Sequence, residues 1–206
     1  MALPIKYTPL PSPAVATINY IDLAEGVTIL NGFTSETTGT INYSLSTSSP
    51  YSYKTSLSGT LGTGIIMSGS FLSNALNRPM ILQGTALVTF GWRVTNSSSS
   101  NNNFPVAWLQ KYDGSTTTDI AFVSGSILNS ANGITYTTTL LISDIPSTLI
   151  KSGEQIVLKM GINGVDAGNS PRGIIGCDPQ NRDGFGVGAG NYDTSKLILA
   201  IPTKIQ

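Results

Sequence analysis

The stretch Ala86-Leu-Val-Thr-Phe-Gly-Trp-Arg-Val-Thr95 decides the fold class of this chain. Apolar side chains occupy every second position of it, at Ala86, Val88, Phe90, Trp92 and Val94. Because successive side chains of a β-strand point to opposite faces, this alternation predicts a strand with one buried face.

Three further segments repeat the alternation. Their predicted inward-facing sets are Phe104, Val106, Trp108, Gln110 and Tyr112; Ile134, Tyr136, Thr138, Leu140 and Ile142; and Ile156, Leu158, Met160 and Ile162. With shorter strands at 118–123, 173–177 and 196–205, about seven or eight strands follow Met80. No apolar stripe with helical spacing exceeds about two turns, which disfavours parallel β-α-β folds.

The predicted fold is therefore all-β, an antiparallel two-sheet sandwich of the jelly-roll type. A jelly roll is preferred to an immunoglobulin-like sandwich because of the strand number and of long connections predicted at 144–153 and 165–171, which suit crossings between sheets. Cys177 is the only cysteine, so the Cys-Trp-Cys spacing of immunoglobulin domains is missing. We expect this thiol to be buried and structural.

Three regions are predicted along the chain. Residues 1–19 form an extended arm whose prolines are candidate interface residues, because such an arm packs on another molecule; a disordered terminus is the open alternative. These prolines are Pro4, Pro9, Pro11 and Pro13. Residues 20–78 form β-hairpins and either stand alone or share a domain with the jelly roll at 79–206. Their strands are predicted at 26–33, 40–47, 51–57 and 64–72, followed by one helical turn at 74–78.

Charge and composition exclude several classes of function. The chain has no histidine, only 11% charged residues, and equal numbers of basic and acidic side chains, 11 of each. Without histidine, most ordinary routes to proton transfer and metal catalysis are missing, and we predict a non-enzymatic protein. Zero net charge gives no attraction to nucleic acid, and no apolar run approaches the roughly 18 residues of a membrane span. Weak charge repulsion favours self-association, so a homo-oligomer is expected.

The segment Asp178-Pro-Gln-Asn-Arg-Asp183-Gly184 is the nearest to a metal-binding loop. An EF-hand loop alternates its ligands before the glycine and ends on a bidentate glutamate; here a proline interrupts the ligands and no glutamate follows. We therefore predict no metal site and no cofactor. Two alternatives stay open: calcium bound by Asp178, Asn181 and Asp183, with Asp193 as a further candidate ligand, and ion pairs of these acids with Arg172 or Arg182.

Four residues are candidates to face a ligand. Tyr51 and Tyr53, flanked by Pro50 and serines, are expected to be exposed. Asn101 and Asn102 belong to the polar run 96–103, a predicted loop that either binds a partner or only connects two strands. The two tryptophans, Trp92 and Trp108, lie in phase with the apolar positions of their strands and are predicted to pack in the core.

The carboxyl-terminal part of the chain resembles virion structural proteins built on a single jelly roll, namely minor capsid, penton, decoration and fibre-head proteins. The resemblance covers residues 80 to 206 and is carried by Ile142-Ser-Asp-Ile-Pro146, Lys151-Ser-Gly-Glu-Gln-Ile-Val-Leu-Lys-Met160 and Asp193-Thr-Ser-Lys-Leu-Ile-Leu-Ala-Ile-Pro202. It implies a building block of a virus particle that assembles into symmetric oligomers with other virion proteins, and an arm that reaches a neighbouring subunit.

Two other functions remain open. A β-sandwich sequence that is low in charge and rich in Ser, Thr, Asn and Gly also occurs in carbohydrate-binding modules and in adhesin or receptor-binding heads. Such a protein would place a glycan against exposed aromatic side chains. An all-β glycoside hydrolase would instead need two facing carboxylates, and nothing in the sequence singles out such a pair.

Overall fold

The computed structural model describes residues 26–60, 66–95, 101–130, 135–164, 171–182 and 195–205, and these residues form an all-β fold. The all-β prediction is confirmed. The strands are β1 Val27–Thr37, β2 Thr40–Ser46, β3 Ser56–Thr60, β4 Ile66–Ser73, β5 Met80–Thr95, β6 Asn101–Tyr112, β7 Thr117–Ser124, β8 Leu128–Ser130, β9 Thr135–Ile150, β10 Gln155–Gly164, β11 Arg172–Gly176 and β12 Leu197–Ile205. The predicted arm, with Pro4, Pro9, Pro11 and Pro13, lies outside the described residues.

Hydrogen bonds join the strands into two antiparallel rows. The first row has the order β1-β12-β5-β9, and the second has the order β4-β10-β6-β7. Strand β2 extends the first row and meets β4 through a short parallel pairing of two residue pairs. Strand β11 pairs with the last residues of β5, and β3 pairs with β11. Strand β8 pairs with the start of β6.

One hydrophobic core lies between the two rows, so the fold is a β-sandwich. In the first row, Leu30, Leu199, Val88 and Leu140 are cross-strand neighbours and all are buried. The second row contributes Phe71, Leu109, Leu158, Met160 and Ile162, each fully buried. Burial of this apolar area supplies the main driving force for folding. The assignment of this sandwich to the jelly-roll type stays a prediction.

The predicted helical turn at 74–78 is wrong. Leu76 donates its backbone N–H to the carbonyl of Glu154 (2.9 Å) and accepts a hydrogen bond from the N–H of Gly153 (2.8 Å). The backbone groups of this segment thus bond to the turn between β9 and β10, which leaves them unavailable for a helix.

The predicted connection at 144–153 is also wrong, because β9 continues to Ile150 and only four residues separate it from β10. The interruption that the sequence shows here is a bulge in the strand. Asp144 has a φ of 56°, and the register with β5 shifts on both sides of Gly84. After the bulge, Ile145 and Ile150 point into the core again.

The strand predicted at 51–57 begins only at Ser56. Ahead of it, Tyr53 donates its N–H to the carbonyl of Thr34 (2.8 Å), and the Thr34 hydroxyl donates to the carbonyl of Lys54 (2.8 Å). A buried threonine therefore holds this segment against β1.

On β6 the predicted inward face is wrong. The core side chains are Ala107 and Leu109, which are fully buried, whereas Trp108 is only half-buried on the opposite face. Both faces of this strand carry apolar residues, and alternation alone could not choose between them. Trp92 is fully buried, as predicted.

None of the described residues belongs to a helix with the length and apolar character needed to cross a bilayer.

Candidate functional site

A cleft of about 430 Å³ opens between β7 and β9. Each of these strands ends its row: β7 pairs with β6 and β9 pairs with β5, and neither has a second strand partner among the described residues. The cleft thus follows the seam between the two layers of the sandwich. Its volume lies within the range of about 300–1,000 Å³ that is typical of small-molecule sites.

Gly125 allows the end of β7 to lie close to the floor of this cleft. Its N–H donates to the carbonyl of Pro105 (2.8 Å). A Cβ at this position would lie 2.8 Å from the Cγ of Pro105 and 3.1 Å from a methyl group of Leu140. Only a residue without a side chain fits between the two layers here.

Four of the residues that line the cleft carry a hydroxyl group, namely Ser124, Ser126, Thr138 and Thr139. Thr138 accepts a hydrogen bond from the indole N–H of Trp92 (2.9 Å), and Thr139 shares one with Thr89 (3.0 Å). An indole N–H can only donate, so Thr138 must be the acceptor and keeps its own proton for another partner. Ser124 and Ser126 are exposed.

The remaining walls are apolar, and the described residues that line the cleft carry no charge. They include Pro105, Val123, Leu140 and Leu141. The cleft therefore offers hydroxyl groups beside hydrocarbon, without a titratable group.

An aromatic row crosses the outer face of the second layer. Lys159, Trp108 and Phe122 are successive cross-strand neighbours on β10, β6 and β7. The Trp108 and Phe122 ring centroids are 5.0 Å apart, and the Lys159 ammonium lies 4.8 Å from the Trp108 ring centroid. Phe122, on the terminal strand β7, is 54% exposed. Such contacts at exposed sites stabilise by about 0.5–1 kcal/mol each.

An apolar row crosses the outer face of the first layer. Its members are cross-strand neighbours on β1, β12, β5 and β9, namely Ile29, Ala200, Leu87 and Leu141. Ile29 is 55% exposed and Leu141 38%, and Val27, at the start of β1, is 45% exposed. Contiguous exposed apolar surface of this kind marks an interaction site more often than isolated apolar residues do.

The predicted metal residues lie in a hydrogen-bonded corner. Asp178 is fully buried, and its carboxylate accepts hydrogen bonds from the backbone N–H of Arg182 (2.8 Å) and from its Nε (3.1 Å). Asn181 accepts from the N–H and hydroxyl of Ser195 through its side-chain oxygen. Asp183 lies outside the described residues. These oxygen atoms hold the chain together locally, and no group of three or more acidic or cysteine side chains suited to a metal occurs in the described ranges.

Of the two predicted arginine partners, Arg182 forms the ion pair with Asp178. Its guanidinium also donates to the carbonyl of Ser52 and lies 5.1 Å from the ring centroid of Tyr51. Arg172 instead donates to the hydroxyl of Ser58 (2.9 Å).

The predicted ligand-facing residues do not form one site. Tyr51 is 74% exposed, and Tyr53 is exposed beside Glu36, whose hydrogen bond raises the tyrosine pKa. Asn101 and Asn102 are in strand β6, paired with Ser130 and Asn129 of β8, so the predicted loop ends before them. Residues 96–100 of that loop lie outside the described residues, and a ligand at any of these four positions stays a prediction.

Sequence reasoning missed the cleft and the half-buried position of Trp108 on the outer face of β6. The hydroxyl groups of the cleft come from segments of the sequence that look like ordinary Ser/Thr-rich strand ends. Only the pairing partners of β7 and β9 bring them together.

No known protein-family model matches this sequence, and no curated protein matches it. Among solved structures, the chain is similar to a CocE/NonD family hydrolase from Staphylococcus aureus, with 14% identity and a TM-score of 0.49 over 86% of this chain and 36% of that one. It is also similar to an aminopeptidase from a Thaumarchaeota archaeon, with 8% identity and a TM-score of 0.47 over 66% of this chain and 25% of that one. A structure of infectious bursal disease virus matches at 13% identity and a TM-score of 0.24 over 72% of this chain and 33% of the viral one.

These matches overturn the prediction that the chain is not an enzyme, because hydrolases are among the matched structures. The chain spans 36% or less of the length of each hydrolase. At 14% identity or below, the likeness concerns the fold alone.

Proposed function

We propose that this protein is a structural subunit of a virus particle that acts through contacts between its β-sandwich and neighbouring subunits. The order of the strands supports the proposal. Along the chain, β1, β5, β9 and β12 belong to the first row, whereas β4, β6, β7 and β10 belong to the second. The chain therefore crosses repeatedly between layers, as it does in a jelly roll, the fold of many capsid domains.

The observation that carries the proposal is the apolar row on the outer face of the first layer. Ile29, Ala200, Leu87 and Leu141 extend over four adjacent strands, and the two residues at its ends are the most exposed. An apolar face of this extent is expected to be buried against another molecule. The zero net charge of the chain leaves little repulsion between copies.

Light scattering of the purified chain tests the assembly. The wild-type protein is expected to form a discrete oligomer, and the double variant Val27→Lys/Ile29→Lys is expected to stay monomeric with an unchanged melting temperature. Both side chains are exposed on β1, so the lysines leave the core intact. The matched control is Ser68→Lys/Ser70→Lys, which places the same charges at exposed positions of β4 on the other layer.

Retained assembly of the control supports the assignment of the interface to the first layer. A wild-type chain that stays monomeric, or a β1 double variant that assembles as the wild type does, would contradict the proposal. The place of the protein in a virion is tested separately, by mass spectrometry of purified particles, in which its peptides should occur in fixed ratio to those of the other particle proteins.

A further inference from the structure

We infer that the cleft between β7 and β9 is a binding site for a neutral saccharide. The cleft meets the apolar row of the first layer at Leu141, but its other lining residues lie outside that row, and the inference does not rest on the proposed assembly. It also differs from the positions that the sequence suggested for a ligand, since Tyr51, Tyr53, Asn101 and Asn102 do not line it.

The first argument is the hydrogen-bonding capacity of the cleft. Sugars present many hydroxyl groups that both donate and accept, and the cleft offers hydroxyl groups with the same double capacity. Thr138 is oriented by the indole of Trp92, which leaves its proton to donate. A ligand hydroxyl group can accept that proton, and a Thr138 side chain already held by Trp92 lowers the entropic cost of binding.

The second argument is the absence of charge together with hydrocarbon walls. Pro105, Leu140 and Leu141 line the same space as the residues that carry hydroxyl groups. A sugar has apolar C–H faces and a polar rim, so it can contact both kinds of wall at once. An anionic or cationic ligand would lose hydration without gaining an opposite charge from the described lining residues.

The third argument is rigidity. The cleft lies between two long strands of a packed sandwich, and Gly125 brings the end of β7 to within hydrogen-bonding distance of Pro105. A site of this kind is largely preformed, as small-molecule sites usually are.

Saturation-transfer NMR and thermal shift measurements with the full chain test the inference. The probes are maltotriose, cellotriose, chitotriose and lactose, with sialyllactose as the anionic comparison, each at up to about 10 mM because single-site sugar affinities are weak. At least one neutral probe is expected to bind, and sialyllactose is expected to bind no better than lactose.

The site variant is Ser124→Arg/Ser126→Arg, which fills the cleft from two exposed positions. It should fold normally and lose affinity at least tenfold, equivalent to about 1.4 kcal/mol. The matched control is Ser68→Arg/Ser70→Arg, with exposed serines at the same spacing on β4, and its affinity should stay within about twofold. Thr139→Val, which removes one hydroxyl group and keeps the shape, should weaken binding without abolishing it.

Failure of every neutral probe to bind overturns the inference, as does binding that persists in the site variant or that is lost equally in the control. Stronger binding of sialyllactose than of lactose also overturns it. Because the assembly variants lie on β1, loss of assembly and loss of saccharide binding can be told apart.

Discussion

Trp92 donates its indole N–H to the hydroxyl of Thr138, across the pairing of β5 and β9, at a distance of 2.9 Å. Trp92 is fully buried, so this hydrogen bond satisfies a donor that water cannot reach. The ring also lies 5.2 Å from that of Tyr136, its cross-strand neighbour. One tryptophan therefore anchors β9 to the core and orients a hydroxyl group of the cleft.

The variant Thr138→Val should lower the free energy of unfolding by about 1–3 kcal/mol, because valine keeps the shape of threonine and leaves the indole N–H buried without an acceptor. Urea denaturation followed by tryptophan fluorescence measures the loss. The control is Thr137→Val on the exposed face of the same strand, which should change stability by less than about 0.5 kcal/mol. Equal stability of the two variants would contradict the role given to the Trp92 hydrogen bond.

Gly32 of β1 gives the second prediction. A Cβ at this position would collide with the buried side chain of Leu197 on β12, its cross-strand neighbour. Gly32→Ala should therefore cost about 1–3 kcal/mol through overpacking. In the control Gly69→Ala, the nearest atom is a methyl group of Leu57 at 3.1 Å, so a smaller shift relieves the contact and the cost should be smaller. A loss for Gly32→Ala no greater than that for Gly69→Ala in thermal denaturation would show that the β1–β12 contact is not tight.

Alternation in the sequence predicted the fold well where only one face of a strand is apolar. On β5 the buried set is the one expected, from Ala86 to Val94, because the alternate positions include Thr89, Arg93 and Thr95. On β6 both faces carry apolar side chains, and the choice between Trp108 and Leu109 depends on which face the other layer covers. That information comes from pairing partners distant in the sequence.

The candidate site could be predicted only in part. The exposure of Tyr51 and the ion pair of Asp178 with Arg182 follow from local sequence, since proline and serine flank the tyrosine and the two charges are four positions apart. The cleft is different in kind. Ser124 and Thr139 line the same cleft only because β7 is the terminal strand of one row of the sandwich and β9 is the terminal strand of the other.

Asp178 gives the third prediction. Its buried carboxylate accepts hydrogen bonds from the backbone and the guanidinium of Arg182, and the guanidinium holds the carbonyl of Ser52. Asp178→Asn removes the charge that these donors require and should cost about 1.5–3 kcal/mol. Asp119→Asn is the control, because Asp119 is exposed and accepts one hydrogen bond from Gln110. If both variants unfold at the same urea concentration, the corner around Asp178 does not contribute to stability.

The single thiol gives the last prediction, a dependence of stability on alkaline pH. Burial, and to a smaller degree the charge of Asp178, raises the pKa of Cys177 from 9.0 to about 12. Between about pH 9 and 12, the folded protein therefore keeps the Cys177 thiol proton that the unfolded chain loses. Stability from this group is complete below about pH 9 and falls between about pH 9 and 12, by up to about 4 kcal/mol.

Other groups also titrate in this range, so the measurement is the difference between the wild type and Cys177→Ala in urea denaturation at successive pH values. The difference in the free energy of unfolding should be constant at neutral pH and should shift in favour of the variant above pH 9.

A thiol reagent at pH 8 should also leave the native protein unmodified, because the thiol is buried and protonated. Rapid modification without unfolding, or parallel pH profiles of the two proteins up to pH 11, would show that Cys177 ionises as an exposed thiol does.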